Sequence, residues 1–168
     1  MEEKRRMKPG LFIGSLIVPL AAGGIGTILS YDGIKRFAEL NKPALTPPAW
    51  VFPIAWTALY ILMGLAVYML LTSDANRGIK KPALIFFSVQ LVMNMFWPLI
   101  FFEGQAFLAA FIWLAMMWGA AIMAAVMFFR ARTAAGLLLL PYIAWTAFAG
   151  YLNLAIYFMS ITPMPLAG

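Results

Sequence analysis

The chain contains no histidine and no cysteine. Without cysteine there is no disulfide and no thiol redox chemistry. Without either residue there is no zinc or iron–sulfur site, and haem iron is left with only Tyr or Met as an axial ligand. A nucleophile–base pair of the Ser–His or Cys–His kind cannot be assembled. Charge is scarce too. Charged residues make up 11% of the chain and hydrophobic ones 64%, against about 25% and roughly 45–50% in soluble domains. With a mean hydropathy of +0.90, the chain has too few polar side chains to cover a soluble surface. Lipid is the solvent that suits it.

The little charge present is confined to short stretches. Between them lie five uncharged runs, 9–31, 43–73, 82–102, 104–129 and 133–168. Each exceeds or matches the ~20 residues a helix needs to cross about 30 Å of hydrocarbon. A charge at the bilayer centre costs roughly 2.5–3.5 kcal/mol, so its absence from every run is a strong signal. The runs are apolar on all sides and lack the alternation of barrel strands. The expected fold is therefore all-α and integral to the membrane. One domain, residues 1–168, forms a five-transmembrane-helix bundle with spans over about 9–30, 48–72, 82–102, 105–129 and 133–158. A lid loop covers 31–47, stiffened by Pro43, Pro47 and Pro48. Pro48 opens the second span, and Trp50 sits where an interfacial aromatic anchor belongs. Glycines in the first span, Gly10 and Gly14, then Gly23, Gly24 and Gly26, read as close-packing positions.

Further functions are excluded by what the spans lack. Proton pumps and ion-coupled carriers keep ionisable groups in mid-membrane, and a retinal protein needs a buried lysine; the spans hold neither. No internal repeat is visible, unlike transporters built from inverted repeats. The net charge of +6 is split among loops without a continuous basic stripe, so nucleic acid is not an expected partner. Nine of the twelve Lys and Arg lie in the N-terminal tail, 74–81 and 130–132. The positive-inside rule then places the N-terminus in the cytoplasm. The basic start followed by Ala21, Ala22 and Gly23 loosely resembles a cleaved signal, but the apolar run continues to Leu29, as a span would.

What remains is aromatic surface and a few neutral amides. Phe52, Trp56, Tyr60 and Gly64 share one face of the second span at i+4 spacing. Phe87, Gln90, Asn94 and Trp97 share a face of the third. Tyr142, Trp145, Ala149, Leu152 and Asn153 do so on the fifth. Buried Gln90 and Asn94 need partners, because an unsatisfied amide in hydrocarbon costs several kcal/mol. Two readings fit. In one, the amides bond across helices and the aromatics fill the bundle; in the other, the same faces line a pocket for a flat apolar ligand.

Three segments carry a family resemblance: LNKPALTPPAWVFPIAWTALYILMG over 40–64, QLVMNMFWPLIFF over 90–102, and LPYIAWTAFA over 140–149 followed by Leu152-Asn153. In this order, and with this five-span layout, the chain resembles the translocator protein family, also called TspO/MBR, tryptophan-rich sensory proteins or peripheral benzodiazepine receptors. The resemblance implies a bacterial cell-membrane protein, often a homodimer, surrounded by lipid and with a pocket opening toward the lid. Members bind porphyrins such as protoporphyrin IX, and also isoquinoline and benzodiazepine drugs. The implied role is binding of tetrapyrrole-type planar ligands for sensing, trafficking or stress regulation, with no obligatory cofactor and no metal. Trp56, Tyr60, Asn94, Trp97, Trp145, Ala149 and Leu152 carry over as pocket residues, beside Phe87, Gln90 and Tyr142 from the faces above. In the lid, Arg36-Phe37 stand where the family has an aromatic pair, which leaves Phe37 as the aromatic contact there. Some bacterial members are reported to degrade protoporphyrin in light with two tryptophans, matched here by Trp56 and Trp145. A photo-oxidative enzyme is thus one alternative, and a passive transporter of apolar solutes another. The chain departs at Leu45, where the family has Trp before the Pro-Pro pair. Leu154 and Phe158 replace the Tyr and basic residue of the animal sterol motif, so sterol binding by that route is not expected. The anionic propionates of a porphyrin would sit near the bilayer surface, where Lys35, Arg36 or Lys42 could meet them.

Overall fold

The computed structural model describes residues 8–39 and 42–162, and among these every regular element is helical. In chain order they are α1 (Pro9–Leu29), α2 (Tyr31–Ala38), α3 (Val51–Leu71), α4 (Arg77–Pro98), α5 (Phe107–Ala131), α6 (Thr133–Leu137) and α7 (Leu140–Ile161), with a π-helical turn, Leu99–Glu103, prolonging α4. Among the described residues, five helical stretches are long and apolar enough to cross a bilayer: α1, α3, α4 with its π turn, α5, and α6 with α7. The protein is an all-α integral membrane protein. Most of the basic N-terminal run behind the expected orientation, up to Met7, lies outside the described residues.

Element ends follow capping and proline chemistry rather than hydropathy alone. α4 begins at Arg77, before the apolar run, because the Asn76 side chain accepts the Ile79 N–H at 3.2 Å and caps the helix. Lys80 turns back and donates to the carbonyls of Ser73 and Leu71 at 2.7 and 3.1 Å, satisfying groups left at the end of α3. Pro98 has no N–H for the Asn94 carbonyl four residues back. The ladder widens there into the π turn, with Gly104 N–H on the Leu99 carbonyl at 2.9 Å. Gln105 follows with φ 47°, a left-handed residue that redirects the chain into α5. The last span is not one helix as expected over 133–158. It breaks at Leu138–Leu139, because Pro141 cannot donate to the Leu137 carbonyl, and resumes as α7.

The stretch 31–47 is also not a loop throughout. Tyr31–Ala38 form an amphipathic helix with Gly33 buried and Asp32, Lys35 and Arg36 exposed. Asp32 stands in its first turn and Lys35 and Arg36 in its last, the placement the helix dipole favours. Hydropathy misses this element because it is short and polar on one side.

In the bundle, α1 lies against α3 and α4, α4 against α5, and α5 against α7, while α6 closes onto α3. α3 and α7 meet chiefly through side chains. Three indoles fasten α5 to its neighbours: Trp97 donates to the Ala110 carbonyl, Trp113 to Met93 and Trp118 to Ile143, at 3.1, 2.8 and 3.0 Å. Against α3, α1 uses a proline and a glycine together. Pro19 removes the usual donor of the Ser15 carbonyl, and that oxygen faces Gly64, where a Cβ would stand 2.7 Å away. Gly26 meets the Met95 carbonyl of α4 in the same manner, also at 2.7 Å. By contrast, Gly10, Gly14 and Gly24 face open space.

Gly64→Ala is therefore expected to force α1 from α3 and to cost on the order of 1–3 kcal/mol, as overpacking does. Gly14→Ala should be neutral. Thermal unfolding in detergent checks the pair, and equal midpoints for the two variants would contradict this packing.

Candidate functional site

Three spans are joined at their centre by neutral hydrogen bonds. The Tyr60 hydroxyl on α3 donates to Asn94 Oδ1 on α4 at 2.6 Å, and Asn94 Nδ2 donates to the Tyr142 hydroxyl on α7 at 3.1 Å. All three residues are buried. In hydrocarbon there is no water to take these groups, so each must find a protein partner. A one-carboxamide bridge satisfies both tyrosines without any charge. Tyr60 is set by α1: its ring occupies the place where a Cβ on Gly23 would stand.

Aromatic rings extend from the bridge. Trp56 stacks on Tyr60 at 5.6 Å between centroids with 27° between planes, and meets Tyr142 edge-on at 6.4 Å. Phe52 meets Trp145 edge-on at 6.0 Å. Trp56, Trp145 and Ala149 are only partly buried. Of the residues expected to line a pocket, the structure thus brings together Trp56, Tyr60, Asn94, Tyr142 and Trp145. Trp56, Tyr60 and Tyr142 gather around Asn94 between α3, α4 and α7, while the Trp145 ring meets Phe52 of α3.

The six tryptophans fall into distinct groups. Trp97, Trp113 and Trp118 spend their indole N–H on neighbouring backbone. Trp50 is 66% exposed at the start of α3. Trp56 and Trp145 are half-buried, lie on α3 and α7, and have no partner for their indole N–H among the described residues. Sequence periodicity treats Trp97 like these two; the structure does not. Its ring stacks on Phe101 at 4.7 Å, and Phe37 packs edge-on against Phe101 and Phe102 at 5.3 and 5.2 Å. Phe37 and Trp97 therefore belong to a second aromatic cluster, where α2 meets the π turn. Phe87 lies in the main core against Phe128, with centroids 5.8 Å apart. Leu152 is buried in α7, and Gln90, one turn from Asn94, is 1% exposed with its Oε1 unpartnered.

The lid cations are mostly engaged. Arg36 is paired with Glu103, Lys42 donates to the Ala38 carbonyl at 2.8 Å, and Lys35 lies 4.1 Å over the Tyr31 ring. Glu103 lies outside the faces that periodicity singles out, although a lone acid in a long uncharged stretch is a signal that it needs a partner. An open groove of about 460 Å³ lies between the start of α5 and the end of α7, lined by Gln105, Phe107, Leu108, Ile112, Tyr157 and Ser160. None of the expected site residues borders it.

If the bridge fixes the aromatic faces, Asn94→Leu strands both hydroxyls and should destabilise the protein by roughly 1–3 kcal/mol. Tyr60→Phe should cost nearer ~0.6 kcal/mol, typical of one hydrogen bond between membrane helices. Reversible unfolding in mixed detergent measures both, and an Asn94→Leu variant as stable as the parent would refute the bridge.

Residues 15–159 match the TspO/MBR family. The tryptophan-rich sensory protein of Cereibacter sphaeroides is 37% identical over 145 residues, 85% of this chain and 87% of that protein. The tryptophan-rich protein TspO of Chlorobaculum tepidum is 35% identical over 120 residues, 71% of this chain and 76% of its own. The translocator protein of Ovis aries is 33% identical over 145 residues, 84% and 85% of the two chains. The matched region reaches into all five spans and contains the bridge and both half-buried tryptophans, and the chain belongs to the TspO/MBR family.

Proposed function

We propose that this protein binds porphyrin or other tetrapyrrole-type planar ligands inside its bundle, between α3, α4 and α7, and serves sensing, trafficking or stress regulation in a bacterial cell membrane. The carrying observation is the pair Trp56 and Trp145: half-buried against the same core and without an indole N–H partner among the described residues, while three other tryptophans are tied to backbone. Stacking of a macrocycle on each indole contributes about 0.5–1.5 kcal/mol beyond burial. The neutral floor of Tyr60, Asn94 and Tyr142 suits a ligand whose body is apolar and whose charges lie at its edge. Propionates directed to the lid-side surface would find Lys35 and Lys42; Arg36 becomes available only by leaving Glu103. In this reading the protein works as a homodimer with its N-terminus in the cytoplasm. The names of the relatives, sensory and translocator, fit both signalling and passage of such a ligand.

A second reading has one specific observation behind it. Trp56 is in ring contact with both bridging tyrosines, a chain of oxidisable rings beside the place proposed for the macrocycle. That arrangement suits electron donation to a photo-excited protoporphyrin, whose oxidative breakdown would take dioxygen as the oxidant, and it requires Trp56 and Trp145 as electron donors.

Titration of the purified protein with protoporphyrin IX, followed by tryptophan quenching, tests the binding reading. Ala149→Leu fills the partly exposed position one turn beyond Trp145 and should weaken binding by about 1–3 kcal/mol, five- to 150-fold. An unchanged dissociation constant would remove Ala149 from the site. If the double variant Trp56→Phe, Trp145→Phe bleached porphyrin under light at the parent rate, the photo-oxidative reading would fail.

A further inference from the structure

Glu103 is the only charged residue between Lys81 and Arg130. Its carboxylate is shared between two donors of one short helix. Oε1 accepts the Gly33 backbone N–H and Oε2 the Arg36 guanidinium, each at 2.5 Å. Gly33 approaches the π turn so closely that a Cβ there would stand 2.5–2.7 Å from the Phe102–Glu103 backbone. Phe37 adds a third point of attachment on Phe101 and Phe102. Gly33, Arg36 and Phe37 are spaced i, i+3, i+4, so they form one stripe of α2, and the whole stripe rests on the turn that Pro98 creates.

The strength of this attachment is intermediate. A charged hydrogen bond to a half-buried carboxylate is stronger than a neutral one, but the Arg36 and Glu103 side chains are 53% and 27% exposed, and ion pairs of that kind are weak and screened by salt. Such a contact holds a helix in place and still lets go. α2 also lies in a mechanically connected position. Residues 42–50, stiffened by Pro43, Pro47 and Pro48, lead directly into α3, which carries Trp56 and Tyr60.

We propose that Glu103 is a positioning residue that clamps α2 to the end of α4, and that release of this clamp admits a planar ligand from the lid side to the site at Trp56 and Trp145. The second half rests on the proposed function; the first does not. Glu103→Gln keeps an acceptor for Gly33 but discards the charge on which Arg36 depends.

The test uses the full chain in nanodiscs and two measurements. In hydrogen–deuterium exchange, Glu103→Gln should speed exchange over 31–38 by about tenfold, the scale of one charged hydrogen bond lost at a partly exposed site. Raising salt from about 0.05 to 0.5 M should speed the parent toward the variant and leave the variant unchanged. Arg36→Gln should reproduce both effects and serves if Glu103→Gln does not fold. In stopped-flow mixing with protoporphyrin IX, the association rate should rise in both variants; a merely structural role would leave it unmoved. Unaltered exchange in both variants overturns the clamp. Faster exchange with unmoved ligand kinetics overturns the gate. If the parent does not bind protoporphyrin IX, the proposed function fails while the exchange measurement still decides the clamp.

Discussion

A single carboxamide, Asn94, accepts a hydrogen bond from one tyrosine and donates one to another, and each of the three residues belongs to a different span. The constraint behind this is solvation. Polar groups at the middle of a bilayer have no water, so Tyr60, Asn94 and Tyr142 must be held in register to satisfy one another. That register sets where Trp56 lies, because its ring packs on both tyrosines. The aromatic site is thus a consequence of polar satisfaction as much as of apolar packing, and it is achieved without any charge.

Backbone devices prepare the register. Gly23 leaves the space into which the Tyr60 ring fits, and Gly64 lets α3 come against the Ser15 carbonyl that Pro19 has deprived of its donor. On the other side, Trp113 and Trp118 bind α5 to α4 and α7, so the helices that carry Asn94 and Tyr142 share a common support. Pro98 ends the regular ladder just beyond Asn94, and the resulting π turn presents Glu103 to α2. Proline acts three times by removing a donor: at Pro19 to bring helices together, at Pro98 to build a platform, and at Pro141 to part α6 from α7.

Much of this was legible in the residues. The five spans followed from where charge is missing, because lipid penalises every buried charge and the chain has few. Asn94, Tyr60 and Trp56 could be grouped from helical spacing and family likeness. Three features were not legible. Periodicity assigns Trp97 to the same face as Asn94 but cannot say that its indole N–H is spent on the Ala110 carbonyl; that depends on how near α5 comes. The helix Tyr31–Ala38 escaped a reading tuned to apolar runs. The break before Pro141 lies inside an apolar run, where only backbone hydrogen-bond accounting finds it. Hydropathy reports solvent preference; local donors and acceptors decide where helices start, stop and touch.

The planar guest is proposed to lie between Trp56 and Trp145, beside the Tyr60–Asn94–Tyr142 bridge. An experimental structure of the protein with protoporphyrin IX bound tests that most directly. The expected result is a macrocycle whose faces contact both indoles, with its propionates toward α2 and Lys42. A macrocycle lying in the groove between Gln105 and Ser160, or on the lipid-facing side of α3 with the two indoles still in their present contacts, would contradict it.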